Sequence, residues 1–219
     1  MAPTLSPSHQ ALLRLTVMCV AFISGFAIMS IELLGGRILS PYFGSSVYVW
    51  GSIISVFMLS LSFGYLTGGK LSTRNPNPVT YSLFFIAAAI LVFPIILFAD
   101  AIMEQVFLVV EDPRYGSLLA SIALFFIPTV ILGMISPYSI RLLVQNQEHS
   151  GHIAGQLYFV STLGSALGTL ATSFYFVLWF EVNQILWGAI LTLVAAGALV
   201  LTVYYLPQRN VVGAEQYEG

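Results

Sequence analysis

The chain has 219 residues, of which 58% are hydrophobic and only 7% are charged, and its net charge is −2. Soluble domains carry about 25% charged residues, so the charged fraction of this chain is far below their average. Together with a mean hydropathy of +0.92, this excludes an ordinary soluble globular protein. The small negative charge gives no basis for binding nucleic acid. Long apolar runs with few charges predict a polytopic helical membrane protein.

Six apolar segments follow one another, each long enough to cross about 30 Å of hydrocarbon as an α-helix. They predict an all-α integral membrane domain over residues 13–206, with short tails at 1–12 and 207–219. The first segment is too long for a cleaved signal peptide, so we interpret it as a signal anchor. The predicted spans are 13–39, 49–69, 79–98, 117–144, 153–180 and 184–206.

The first span contains Glu32 and, five residues later, Arg37, near the predicted outer end. A charge at membrane depth is costly and usually marks a polar cavity or a partner. We expect the two side chains to meet in a partly buried site, with Ser52 and Ser55 of the second span as further partners. The alternative is that Glu32 bonds to a neighbouring helix while Arg37 extends to the headgroups.

Small residues form stripes on the second and fifth spans, and each stripe contains a Gly-x-x-x-Gly step that allows close helix packing. Packing within one bundle is the simpler interpretation, and packing between two bundles is the alternative. The stripes consist of Ser60, Gly64 and Gly68 in the second span and Ser161, Gly164, Gly168 and Thr172 in the fifth.

The segment DAIMEQVFLVVEDPRYG, residues 100–116, separates the third and fourth spans. Apolar residues recur at helical spacing, namely Ile102, Val106, Val109 and Val110. Acidic residues accompany them at Asp100, Glu104, Glu111 and Asp112. This pattern predicts a short amphipathic helix lying in the membrane interface.

Five basic residues fall at one end of the predicted bundle and two, Arg37 and Arg114, at the other. The positive-inside rule predicts that the end with five basic residues is cytoplasmic. Both termini are then expected on the cytoplasmic side of a bacterial inner membrane. The five are Arg14, Lys70, Arg74, Arg141 and Arg209.

No nucleotide loop and no nucleophile elbow can be found in the sequence. His149 and His152, with Glu148 beside them, have a spacing that could suit a metal, but no second group of ligands accompanies them. A solvated loop is the better interpretation. The sequence therefore predicts a non-catalytic protein with no cofactor and no metal.

The stretch FISGFAIMSIELLGGRILSPYFGSSVYVWGSIISVFMLSLSFGYLTGGKL, residues 22–71, resembles the membrane-embedded N-terminal domain of fused membrane spermidine synthase-like proteins. ISPYSIRLL and HIAGQLYFVSTLGSALGTLATSF resemble the fourth and fifth helices of that domain. In that family a soluble aminopropyltransferase domain follows, and none of its catalytic carboxylates or its nucleotide loop can be placed on this chain. The helix pattern is also similar, more distantly, to half of a major facilitator transporter.

The resemblance implies an accessory or docking subunit of a membrane complex, bound to a separately encoded chain. One alternative is a half-size transporter, a homodimer around a polar cavity that holds Glu32 and Arg37. Another is the membrane subunit of a polyamine synthase whose catalytic domain lies on another chain. The predicted partners are the lipid bilayer and either another protein or a second copy of this chain.

Overall fold

The computed structural model describes residues 7–73, 76–144 and 150–215, and side chains within 10–73, 76–144 and 150–205. Helices dominate this part of the chain, and it contains no β-strand. Six helical spans are long and apolar enough to cross a membrane. The predicted all-α, six-span fold is therefore confirmed.

The fifth span is built from α5, a π-helical turn and α6, whereas each of the other spans is one continuous α-helix. α1 and α7 reach into both predicted tails. The helices are α1 (Pro7–Phe43), α2 (Val47–Ser72), α3 (Pro78–Val109), α4 (Pro113–Leu143), α5 (Ser150–Ala171), the π-helical turn (Thr172–Phe176), α6 (Val177–Trp179) and α7 (Val182–Glu215).

The predicted interfacial helix between the third and fourth spans is wrong, because the segment continues α3 without a break to Val109. Met103 is fully buried in the core. Phe107 packs its ring edge-on against Tyr42 and Phe43, with centroids 6.4 and 6.2 Å apart. The segment therefore packs against the end of α1, and this tertiary contact prevails over its amphipathic pattern.

Local sequence sets the turns between the spans. Asn77 caps α3 by accepting a hydrogen bond from the Val79 amide at 2.9 Å. Asp112 caps α4 in the same way, accepting from the Arg114 amide at 2.9 Å. A proline follows each cap, where its missing N–H costs nothing. Gly44, with φ of 75°, makes the turn between α1 and α2 possible.

The spans alternate in direction, which gives the bundle two chemically different ends. One end, called the acidic end here, carries the turns before α2, α4 and α7, with Glu111, Asp112 and Glu181. The other, called the basic end, carries Arg14, Lys70 and Arg141, together with the connections before α3 and α5.

Helices α1 and α5 run in the same direction and pack in register. Near the basic end, the Arg14 Nη2 donates to the Gln156 Oε1 at 2.5 Å. Closer to the acidic end, the Thr172 Oγ1 donates to the Ser30 Oγ at 2.9 Å in the buried interface. The two partners are 142 residues apart in both bonds. This constant offset shows that the helices stay aligned along most of their length.

Helices α2 and α4 form a second parallel pair. The Ser52 and Ser117 hydroxyl oxygens lie 3.0 Å apart towards the acidic end. Towards the basic end, a Cβ on Gly68 would lie only 2.6 Å from the Met134 Cα, so the two backbones are in direct contact. Only glycine allows such an approach.

The two parallel pairs are related by an internal two-fold pseudosymmetry. Exchanging α1 with α4, α2 with α5 and α3 with α7 converts the α1–α5 contact into the α4–α2 contact, and the α3–α4 contact into the α7–α1 contact. The α1–α2 and α4–α5 contacts also exchange, whereas the minor α1–α3 contact has no comparable counterpart. Because α1 and α4 run in opposite directions, the first three spans form an inverted repeat of the last three.

The closest backbone contacts obey the same symmetry. Where a glycine of one half touches a backbone position of the other half, the symmetry-related glycine touches the symmetry-related position. The matching pairs are Gly25 on Ser161 and Gly133 on Leu61, Gly164 on Phe22 and Gly64 on Val130, and Gly168 on Phe26 and Gly68 on Met134.

Candidate functional site

Glu32 lies on the face of α1 between α5 and α2. Gly25, seven residues before it, touches the backbone of Ser161 on α5, and Gly36, four residues after it, touches the ring of Trp50 on α2. Residues four and seven apart share one face of a helix. Glu32 is half-buried on this face. A carboxylate is therefore placed inside the spanning bundle, between two neighbouring helices.

The structure does not bring Glu32 and Arg37 together. No ion pair or hydrogen bond links the Glu32 carboxylate to any residue within the described ranges. α1 remains a regular helix through the two glycines between Glu32 and Arg37. Five residues on such a helix correspond to about 140° of rotation, so the side chains point in different directions. The expected pairing required a loosened helix, which did not form.

The two serines expected to support Glu32 are placed elsewhere. The Ser52 hydroxyl bonds to that of Ser117 on α4, which itself donates to the Arg114 carbonyl at 3.1 Å. Ser55 lies on the exposed surface of α2. Among the expected partners, none is bonded to Glu32.

Helices α2 and α5 frame the surface that Glu32 approaches. Tyr65 of α2 and Tyr158 of α5 lie close enough for their phenol groups to interact electrostatically. The fifth span is the least buried of the six. We call this surface, defined by Glu32, Tyr65 and Tyr158, the α2–α5 face. It carries a carboxylate towards the acidic end and two phenols towards the basic end.

Both small-residue stripes lie at helix contacts inside the bundle. The α2 stripe packs on α4, and the α5 stripe packs on α1. Ser60 is fully buried and donates to the Val56 carbonyl at 2.6 Å. Thr172 is fully buried and bonds to Ser30. The stripes thus hold the two halves against each other and leave the α2–α5 face open.

Of the histidine cluster, only His152 has a described side chain, and no group of three or more potential metal ligands occurs within the described residues. Glu148 and His149 lie outside the described residues, as does Arg74. His152 bonds through Nε2 to the amide of Gln156, 2.9 Å away. Gln156 also accepts from Arg14, so this histidine belongs to the α1–α5 contact at the basic end.

Comparisons with protein-family models, curated proteins and solved structures returned no match. The resemblance of residues 22–71 to spermidine synthase-like membrane domains therefore stays a prediction from the sequence.

The inverted repeat is the feature that sequence reasoning missed, and it has a visible signal. Gly25 of α1 and Gly133 of α4 occupy matching positions in the two halves. Three glycines of the first half also recur with a constant separation in the second half. They are Gly51, Gly64 and Gly68, followed by Gly151, Gly164 and Gly168. These recurring glycines relate α2 to α5 in the sequence, and the repeat of whole three-helix units becomes visible only from the contacts.

Proposed function

We propose that the protein is a half-size membrane transporter that works as a homodimer. The inverted three-plus-three repeat carries this proposal, because such repeats are a recurring design of secondary transporters. In those proteins the two repeats rock around a site near their shared interface, which exposes it alternately to each side. A single six-span unit has one such pair of repeats, so a second copy would complete the cavity.

Glu32 is the residue of this chain that fits a transport site. A carboxylate at membrane depth without a partner in the described structure is costly, and such residues usually line substrate or ion pathways. The two phenols of the α2–α5 face lie towards the opposite end of the bundle, and no ion pair in the described structure compensates the negative charge of Glu32. This chemistry favours a small cation or a proton as the transported species.

The split of basic residues supports an orientation for the proposed transporter. The basic end would face the cytoplasm under the positive-inside rule, with both termini on that side of a bacterial inner membrane. The acidic end, including Glu111, Asp112 and Glu181, would face outward. A cation approaching from outside would then meet a negatively charged surface first.

A docking subunit is the second candidate, favoured by the exposure of the fifth span. In that case the α2–α5 face would bind a different protein, for example a separately encoded synthase-like chain, and the protein would serve as its membrane anchor. If that partner carried the catalytic domain of a polyamine synthase, this protein would be the membrane subunit of the enzyme. These proposals differ from transport in the identity of the chain that covers Glu32.

Cross-linking between copies tests the proposal. In a Cys19→Ser background, Glu32→Cys should give a covalent dimer with a short bis-maleimide in native membranes. Ile90→Cys, on the exposed surface of α3, is the control and should give none, because α3 lies outside the proposed interface. A Glu32→Cys adduct with another protein would favour the docking subunit, and a protein that stays monomeric would contradict the transporter.

A further inference from the structure

A groove of about 470 Å³ lies between α1, the end of the fifth span and α7, away from the α2–α5 face. Its volume falls within the range typical of small-ligand sites. Phe22 and Phe26 of α1 form one wall, Phe176 and Phe180 form another, and Gly188 lies on the α7 side.

The π-helical turn shapes this groove. It covers Thr172–Phe176 and is continuous with the α-helix on both sides. Phe176, at its end, lies in the groove wall with its ring centroid 6.2 Å from that of Phe26. Single π-helical turns inside α-helices often occur at functional sites.

The few polar side chains in the wall are already engaged within the protein. Ser30 accepts a hydrogen bond from Thr172, and the Thr192 Oγ1 donates to the Gly188 carbonyl at 2.7 Å. Gln184 accepts through Oε1 from the Glu181 amide at 3.0 Å. The groove therefore presents mostly hydrocarbon, which suits a long apolar chain better than a polar solute.

A cationic residue of α1, Arg37, lies at the acidic end of the groove. Arg37 follows Ser30 by seven residues, so it shares the face of α1 that lines the groove, about 10 Å nearer the acidic end. The offset of 142 residues between α1 and α5 places it level with Trp179, the last residue of the fifth span. Arg37 is exposed and has no ion-pair partner in the described part of the chain.

We propose that this groove binds one acyl chain of an anionic phospholipid from the surrounding bilayer, with the lipid phosphate on Arg37. A guanidinium binds a phosphate through two parallel hydrogen bonds. The apolar groove reaches that level at Phe180 and continues below it along Phe176 and Phe26, as the acyl chain continues below its headgroup. The bilayer is the adjacent source of such a molecule, since spanning helices form every wall.

Lipid retention by the purified full chain tests the proposal in native mass spectrometry, with phosphatidylglycerol or phosphatidylcholine added to the detergent. Gly188→Leu fills the groove, because a Cβ there would meet no atom within 4 Å. Gly155→Leu is the matched control on the exposed side of α5, where a Cβ also meets no atom within 4 Å. Arg37→Gln removes the cation, and Arg141→Gln is its control at the basic end.

We expect phosphatidylglycerol to bind in preference to phosphatidylcholine, and Gly188→Leu to reduce its retention at least tenfold. Arg37→Gln should weaken phosphatidylglycerol binding about fivefold and abolish the headgroup preference. Both controls should bind as the unchanged protein does. Equal retention by Gly188→Leu and Gly155→Leu would overturn the groove as the site. Equal binding of the two lipids would overturn the role of Arg37, and a change in copy number with Gly188→Leu would assign the groove to a second protein chain.

Discussion

Single glycines decide how closely the helices of this protein approach one another. A Cβ on Gly164 would collide with the Phe22 carbonyl oxygen, and one on Gly64 would collide with that of Val130. The sequence showed the stripes that contain these glycines, because their spacing is local. It did not show the partner of either stripe, because that depends on contacts between helices far apart in the chain.

Gly164→Leu should destabilise the protein strongly, by about 3 kcal/mol or more, since backbone rather than a flexible side chain occupies the space. Thermal melting in mild detergent would measure it. Gly155→Leu should be neutral or slightly stabilising, because leucine favours a helix over glycine and the site is open. Equal melting temperatures for the two variants would contradict the close α1–α5 contact.

Glu32 and Arg37 show a second limit at the residue scale. The sequence correctly indicates that both lie in or near the first span, but their pairing depended on how the helix behaves at Gly35 and Gly36. The helix stays regular there, so rotation separates the two side chains. They now belong to different surfaces, Glu32 to the α2–α5 face and Arg37 to the groove beside α7.

The six spans could be predicted at the scale of elements, because long apolar runs allow no other fold in a bilayer. The end of α3 could not, since an amphipathic pattern next to a membrane suits either an interfacial helix or a packed one. Burial of Met103 decides between them. The parallel pairing of α1 with α5 was equally beyond local patterns, although the glycines that recur 100 residues apart in α2 and α5 carry a trace of the repeat.

Disulfide formation tests the parallel register of α1 and α5. In a Cys19→Ser background, Ser30→Cys with Thr172→Cys should cross-link within one chain under mild oxidation, because the native hydroxyl oxygens are 2.9 Å apart. Once the disulfide has formed, neither cysteine is free to react, so a maleimide-linked polymer would not slow the migration of the protein on a gel. Ser30→Cys with Ser161→Cys is the control, three turns away along α5, and should remain reduced. Cross-linking of the control instead would show a different register.

At the scale of the whole molecule, two three-helix units of opposite orientation meet beside the half-buried carboxylate of Glu32, which has no ion pair in the described part of the chain. Fold alone does not establish function, so the inverted repeat supports transport only together with the chemistry of Glu32. The exposed glutamate at the α6–α7 turn, Glu181, provides a comparison with the same charge and no place in the proposed cavity.

Transport by the purified protein in sealed vesicles tests the account most directly. We would load vesicles with a pH-sensitive dye and add a series of small organic cations, including putrescine. The account predicts that at least one cation drives a proton flux through the unchanged protein and through Glu181→Gln. Glu32→Gln should lose that flux at least tenfold, because the group that binds both the proton and the cation is gone. Equal fluxes in Glu32→Gln and the unchanged protein, or no flux above that of empty vesicles for every cation, would contradict it.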